Sequence, residues 1–430
     1  FHRDADGQLG EGSRIIASSR KSLDRAEYVE WVESALKKYL PPEDFDEEAW
    51  QRFSGRLYHH RQDVQAADGW SGLEALLSER PEHIRVFYLA TLPSLYGVML
   101  AGVDYVLMGA GIPRAIPGIL DRLADGFDVE MRIDVKGSTD KGDPFVRFSP
   151  TRIAKDLLGK LPRPEFLAIV SSHVLAKMLA TKASGEVNGF IVELPVAGGH
   201  NAPPRAKGEF NELGEPVYGE KDVPDLEAIA GLGKPFWLAG GYGEPKQVLD
   251  ALEVGAAGVQ VGTAFAYCNE SGFTREVKDE VILESREGSV KVYTDAIASP
   301  TGFPFKVVQL EDSLSNTAVY EQRTRICDLG YLRHAYERDD GSIGWRCPAE
   351  PVDDYVRKGG AIEETVGRKC LCNSLVANVG MPQLKRDGTL EPTLITSGDD
   401  AEHVARFAPT GSTEYSAADV VDYLLSEVQA

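Results

Sequence analysis

Three short apolar runs between Asn188 and Phe265, each closed by glycine, constrain the fold of this chain more than any other stretch. The first, Gly189-Phe190-Ile191-Val192-Glu193-Leu194-Pro195, leads into Val196-Ala197-Gly198-Gly199-His200. The second, Pro235-Phe236-Trp237-Leu238-Ala239, leads into Gly240-Gly241-Tyr242-Gly243, and the third, Gly258-Val259-Gln260-Val261, into Gly262-Thr263. Between the last two lies a helix-like segment, Glu244 to Val254, with Pro245 near its first turn and Gly255 just past its end. Strand, glycine turn, helix and strand within about thirty residues make a βαβ unit, which requires parallel strands. Glycine turns after consecutive strands let backbone N–H groups point at a phosphate without interference from Cβ. In an α/β barrel the phosphate of a ligand often sits at the loops after strands 7 and 8, and we read these glycines as that site.

Composition removes several classes of function. The 430 residues are 43% hydrophobic and 26% charged, an ordinary globular mixture. A formal net charge of −21 argues against broad binding to nucleic acid, which needs a basic surface. No apolar run approaches the length of a membrane span. Five cysteines in so long a chain do not make a disulfide framework, so a reducing cytoplasm is expected. The chain opens on Phe1 with nothing resembling a signal peptide, as a fragment would.

Residues 1–96 read as alternating strand and helix. Arg14 to Ser19 is expected to form a strand, Ser22 to cap a helix running to about Leu40, and Arg85 to Ala90 to form another strand that ends at Thr91-Leu92-Pro93-Ser94. The words DADGQLGEGSRIIASSR, RLYHHRQDV and RVFYLATLPSLYG resemble the nucleotide-binding domain of glucose-6-phosphate dehydrogenase. That resemblance implies a place for the NADP 2′-phosphate at Arg20 and for the dinucleotide near Tyr88 and Pro93. The family's glycine-rich phosphate loop and its sugar-phosphate histidine are absent: Arg132-Ile133-Asp134 is followed by Val135 and Lys136. Without the glycine turn there is no cradle for a pyrophosphate, so dehydrogenase activity is not expected.

From Gly97 onward the resemblance changes. The words VDYVLMGAGIP, FLAIVSS, VELPVAGGHNAPP, PFWLAGGYG, GVQVGTAFA and ASPTGFP occur in the order found in the nitronate monooxygenase (2-nitropropane dioxygenase) family of FMN-dependent barrels. Five barrel-like strands are expected, at Val103–Met108, Phe166–Ser171, Gly189–Leu194, Phe236–Ala239 and Gly258–Val261; eight close such a cylinder. The expected fold is therefore α/β. A partial Rossmann-like, dinucleotide-binding-like segment (1–96) precedes an incomplete FMN-type (β/α)8 barrel (97–308) that lacks its first strands. A loop-rich and helical region (309–430) follows, and the junction falls near Leu95–Gly97. Asp128 to Arg147 is expected to be a surface excursion, and Ser416-x-x-Asp419 to box the start of a last amphipathic helix.

For the FMN phosphate the residues themselves offer Gly240, Gly241, Gly243, Gly262 and Thr263: several N–H donors and a hydroxyl converging on a dianion. Gly198 and Gly199 lead to His200, which stands at a strand end, where barrel enzymes place their chemistry. His200 is expected to take a proton from the carbon α to a nitro group, or to hold a nitronate by hydrogen bond and charge; the alternative is a loop histidine that only fixes local structure. Glu193 and Gln260 lie within strand runs and either hydrogen-bond the flavin or serve the sheet. Gly109, Gly111 and Ser171 are strand-end candidates of lower rank, and Ser299 to Pro304 forms a candidate loop over the flavin ring. Cys327, Cys347, Cys370 and Cys372 offer four thiolates for zinc, but Cys-x-Cys and wide spacings favour free thiols, and no metal is expected. The resemblance implies an FMN-dependent oxidoreductase acting on alkyl nitronates with O₂. Alternatives are a flavin-dependent enoyl reductase-like enzyme, an NADP-linked dehydrogenase fragment and an inactive fusion product. The partner expected is a small-molecule substrate, with neither nucleic acid nor membrane and with oligomeric state open.

Overall fold

The computed structural model describes residues 14–19, 22–39, 45–61, 91–109, 111–138, 144–152, 160–206, 208–385 and 387–428. Strand β1 (Ile15–Ser19), helices α1 (Arg25–Tyr39) and α2 (Glu47–Arg56), and β2 (Leu57–Arg61) come first. β1 and β2 pair in parallel from Ile15 opposite Leu57 to Ser19 opposite Arg61. They are covered by a small core of Tyr28, Trp50, Phe53 and Leu57. α1 starts later than the Ser22 cap would set it. Asp24 and Glu27 form a reciprocal box, each side chain taking the other's backbone N–H at 2.9 Å, and this satisfies two otherwise orphaned donors where a lone serine satisfies one. The expected strand Arg85–Ala90, together with Arg20, Tyr88 and the position after Gly109, lies outside the described residues.

Helix α3 (Thr91–Leu100) begins at the TLPS tetrapeptide that was expected to close a strand. Proline in a first helical turn loses no intrahelical bond, so Pro93 is compatible with this start. α3 also runs through the expected junction at Leu95–Gly97. Its Leu92, Leu95, Tyr96 and Met99 are buried in the large core of the parallel sheet.

The chain then lays down β3 (Tyr105–Met108), α4 (Ile116–Ala124), β4 (Val129–Arg132), β5 (Val135–Lys136), β6 (Phe145–Phe148), β7 (Glu165–Val170), α5 (His173–Lys182) and β8 (Gly189–Glu193). After these come α6 (Leu226–Ala230), β9 (Phe236–Ala239), α7 (Pro245–Glu253), β10 (Gly258–Gln260), α8 (Thr263–Ala266), α9 (Arg275–Glu287), β11 (Val292–Asp295) and β12 (Phe305–Val308). The sheet order is β10-β9-β8-β7-β3, all parallel. Each strand lies beside its predecessor with no reversal, unlike a doubly wound sheet, which turns back at a switch point.

Strand alternation confirms a one-sided arrangement. Phe166, Ala168 and Val170, Phe190 and Val192, and Phe236 and Leu238 share a core with Leu120 and Leu123 of α4, Leu179 of α5 and Ala251 of α7. The opposite face carries Leu167, Ile191 and Ala239 with Ile169 and Trp237. Helices on one face and a separate apolar lining on the other are the two layers of a barrel wall. Among the described residues the wall has five strands. At its β3 edge the inward-facing Tyr105 and Leu107 remain 48% and 42% exposed. Truncating one fully buried phenylalanine on the helix side, such as Phe190, is expected to cost about 3–5 kcal/mol.

Asp128 to Arg147 is not a featureless excursion. β4 and β6 pair antiparallel, and β5 adds in parallel to β13 of the C-terminal region. That region contains α10 (Thr317–Gln322), β13 (His334–Glu337), β14 (Ile343–Arg346), α11 (Val352–Arg357), α12 (Leu371–Ala377) and α13 (Ala417–Leu425). The expected box at Ser416 and Asp419 caps α13. Buried charge organises the loops: Glu391 accepts from Arg323 at 2.7 Å and lies 3.2 Å from Lys385, with all three side chains 5% exposed or less. Removing one member of such a group strands its partners' charge and is severe, although the intact group stabilises little beyond an apolar replacement. No helix among the described residues is long and apolar enough to cross a membrane.

Candidate active site

The register of the parallel strands places Glu193 opposite Ala239 and Ala239 opposite Gln260. The three turns that follow therefore leave the sheet side by side, at the carboxyl ends. Strand parity puts Gly109, Ser171, Glu193 and Gln260 on the inward face, the one without helices. Regular pairing alone brings these residues to one rim.

One cavity of about 310 Å³ gathers most of the residues expected from the sequence: Glu193, Gly198, Gly199, Gly240, Gly241, Gly243, Gln260, Gly262 and Thr263. Gly240 and Gly241 have φ of +85° and +78°, which side-chain-bearing residues rarely adopt. A Cβ on Gly240 would stand 3.0 Å from the Ala197 nitrogen. Gly262 differs: its backbone suits any residue, and a Cβ there would meet nothing within 4 Å. Its glycine leaves space on the cavity wall. The N–H groups of Gly241, Gly243 and Gly262 donate to nothing else among the described residues.

Two of these glycines also answer to packing. A Cβ on Gly198 would collide with the backbone of Ser397 and Gly398, and the Gly199 N–H is taken by Thr396 Oγ1 at 2.9 Å. These contacts reveal a segment that sequence reasoning missed. Thr396, Ser397, Gly398 and Asp400 form the far wall of the cavity, and the Gly398 N–H donates to Thr263 Oγ1 at 3.0 Å. The Asp400 carboxylate faces the turn at Gly243 and is matched by Arg406 at 2.8 Å, which also reaches Glu244 at 3.0 Å. The one signal for this wall was a glycine directly after the apolar pair Leu394-Ile395 and two polar residues.

Gly109 and Ser171 stand apart from that cavity. The space beside Gly109 is filled by the Ile169 side chain. Ser171 lines a smaller neighbouring hollow, which shares Glu193 and includes Asn201, Arg205, Tyr218 and Asp222. Gly111, at φ +71° with open space around it, makes a turn.

His200 is held on two sides. It bridges antiparallel to Phe305, whose ring meets the imidazole edge-on at 4.8 Å. Its Nε2 lies 2.6 Å from Ser299 Oγ, which in turn lies 2.7 Å from Thr301 Oγ1. The loop from Ser299 to Pro304 is thus joined to the histidine. Asp295 accepts from the Ile297 and Ala298 N–H groups, and Arg368 donates to the Ile297 and Ser299 carbonyls at 2.7 and 2.5 Å. Burial holds the His200 imidazole below its ordinary pKa, which favours the neutral ring. Burial also pushes the Glu193 carboxyl up to about 7, so a proton on it is exchangeable near neutrality. The four C-terminal cysteines are free thiols, and no group of three or more His, Cys, Asp or Glu among the described residues is placed to hold a metal ion.

With this geometry in place, comparison with known proteins divides the chain. Residues 1–114 match the family model for the NAD binding domain of glucose-6-phosphate dehydrogenase, and residues 122–332 match that of nitronate monooxygenase. Two family models thus match successive parts of one chain. The first resemblance reaches further than residue 96, and the second is narrower than 97–430. Glucose-6-phosphate 1-dehydrogenase of Rhizobium meliloti is 38% identical over 96 residues, 22% of this chain and 20% of that protein. A (3aS,4S,5R,7aS)-5-hydroxy-7a-methyl-1-oxo-octahydro-1H-indene-4-carboxyl-CoA dehydrogenase of Mycobacterium tuberculosis is 26% identical over 223 residues, 47% of this chain and 57% of that protein. A probable nitronate monooxygenase of Staphylococcus saprophyticus is 25% identical over 194 residues, 43% of this chain and 52% of that protein. The chain thus spans about a fifth of the length of the dehydrogenase it matches first and just over half of the other two.

Proposed function

We propose that this chain is an FMN-dependent oxidoreductase that oxidises alkyl nitronates with O₂. The observation that carries the reading is the cavity at the carboxyl ends of β8, β9 and β10, where free backbone N–H groups, a hydroxyl and a protonatable carboxyl converge, with the imidazole of His200 next in the chain after its lining residue Gly199. The residues present fit the phosphate end of FMN. Gly241, Gly243 and Gly262 offer unspent donors, the Thr263 hydroxyl adds one, and side chains are missing where they would fill the space. Asp400 is a like charge on the cavity wall, and Arg406 offsets it.

FMN, when bound, supplies an acceptor for the substrate's electrons and passes them to O₂. The chain supplies the rest. His200 in its neutral form accepts a proton from carbon or donates a hydrogen bond to a nitronate oxygen, with Ser299 fixing the ring. Glu193 holds an exchangeable proton on the same rim. The match to the probable nitronate monooxygenase supports this substrate class. The match to the carboxyl-CoA dehydrogenase favours a second reading, in which the same site works on a CoA thioester as a flavin-dependent enoyl reductase does.

The test is the visible spectrum of the purified full chain. A flavin spectrum, with FMN identified on release, is expected. His200→Ala is expected to keep the colour and slow nitronate oxidation by about 10²–10⁴-fold. A colourless protein that takes up no added FMN overturns the proposal, and unchanged turnover removes His200 from the chemistry.

A further inference from the structure

On the other side of the Ser299–Pro304 loop lies a second cavity, of about 670 Å³, whose wall includes Thr301 and Gly302 of that loop. Its lining carries three cations, Lys136, Arg333 and Arg368, against two carboxylates, Asp134 and Glu364. A local excess of positive charge is unexpected in a chain with a net charge of −21. The fold assembles it from distant segments: β5 adds to β13 with Lys136 opposite Tyr336, so a residue from the excursion faces residues two hundred positions later.

Each cation has a fixed place. Lys136 lies 2.5 Å from Glu364, at a half-exposed position. Arg368 is anchored by the carbonyls of Ile297 and Ser299. Arg333 donates to the Cys327 carbonyl at 3.0 Å, which holds its guanidinium at the cavity wall. His334, on the same wall, is held below its ordinary pKa by burial and by the charges of Lys136 and Arg346, so it is neutral and able to accept or donate a hydrogen bond. Tyr331, 56% exposed, presents an aromatic ring at the rim. Guanidinium and ammonium groups recognise phosphates, and an exposed ring stacks on a base.

We propose that this cavity binds the nucleotide handle of a second substrate: an adenosine diphosphate carrying a further ribose phosphate, the part that CoA thioesters and NADPH have in common. Ser299 and Thr301 link the wall of this cavity to His200, so a substrate anchored here would extend along that loop toward the histidine. The proposal rests on the reading of that rim as a flavin site for its purpose, but binding is measurable without it.

The experiment is calorimetric titration of the full chain with CoA and, separately, with NADPH, alongside the visible spectrum. Saturable binding of at least one is expected, weakening as salt is raised. Binding of CoA alone identifies a thioester as the substrate; binding of NADPH alone identifies a reductant. Lys136→Gln and Arg333→Gln are each expected to weaken it by about 10–100-fold, the loss of one charge-assisted hydrogen bond, with the flavin absorbance unchanged. Lys136 is half-exposed, so its variant keeps the test intact should Arg333→Gln fail to fold. Binding of neither ligand, or binding that Lys136→Gln leaves unaltered, overturns the proposal. A colourless protein that takes up no added FMN but binds CoA keeps this proposal and loses the flavin reading; a yellow protein that binds neither does the reverse.

Discussion

Parallel strands occur in two parts of this molecule, the β1–β2 pair and the five-stranded arc, and each part falls within a different family match. The pair has ordinary register and a small core, and the positions that follow β1 are Arg20 and Lys21 rather than glycines. In the arc, three neighbouring strands end level, two of the turns depend on glycine, and the segment from Thr396 to Asp400 closes the opposite wall. Parallel pairing delivers strand ends to one edge. An anion site also requires backbone that can turn its N–H groups outward, and a wall that keeps water and side chains out.

That contrast can be broken from either end. Trp50, 3% exposed, is the largest side chain in the core under β1 and β2. Trp50→Ala is expected to destabilise the N-terminal unit by about 3–5 kcal/mol while leaving flavin content per chain unaltered. Calorimetry would show an early transition appear, and loss of flavin in this variant would mean that the two parts share one cooperative unit. Gly262→Val attacks the other end. Its backbone accepts a side chain and no atom obstructs it, so the thermal midpoint is expected to hold. The added methyl groups occupy the cavity wall, and FMN affinity is expected to fall about 100-fold, equivalent to roughly 2.7 kcal/mol. Retention of FMN by this variant would place the phosphate elsewhere.

The arc was legible in the sequence because its signals are local. Short apolar runs closed by glycine fix β8, β9 and β10 to within a residue, and Val103–Met108 and Phe166–Ser171 correspond to β3 and β7 with ends shifted by one or two. The glycines that line the cavity belong to the same turns. What the sequence did not disclose depends on pairing over distance. β5 finds its partner in β13 some two hundred residues on, and the β4–β6 hairpin hides in a charged stretch because only Val129 and Phe148 of it are buried. The Thr396–Asp400 wall likewise has no motif; it is recognisable only once Gly198 is seen to need the space that Gly398 occupies. Gly198 and Gly199 line the cavity as expected, but their packing against Ser397, Gly398 and Thr396 was not legible, since glycine after a strand signals both close packing and anion binding and nothing local separates the two.

The subtlest difference between the two parts is electrostatic. Glu193, at the inward end of β8, has its carboxyl pushed from 4.5 up to about 7 by burial. Folding therefore holds a proton that the unfolded chain releases, and stability falls as pH rises from about 4.5 to about 7 and then levels off. Glu193→Gln removes this loss because the amide stays neutral. At pH near 4 the variant and the parent are expected to unfold at nearly the same urea concentration. At pH near 8 the variant is expected to be the more stable, by up to about 2–3 kcal/mol after allowance for the partial exposure of the rim. The exposed Glu48 of α2, replaced in the same way, provides the N-terminal control. Turnover supplies the second readout: if the Glu193 proton serves the reaction, parental activity declines above about pH 7, and the variant loses that limb of the profile. Urea curves separated equally at both pH values would mean that Glu193 is not a buried acid at the cavity rim, and the carboxyl would then lose its part in the proposed chemistry.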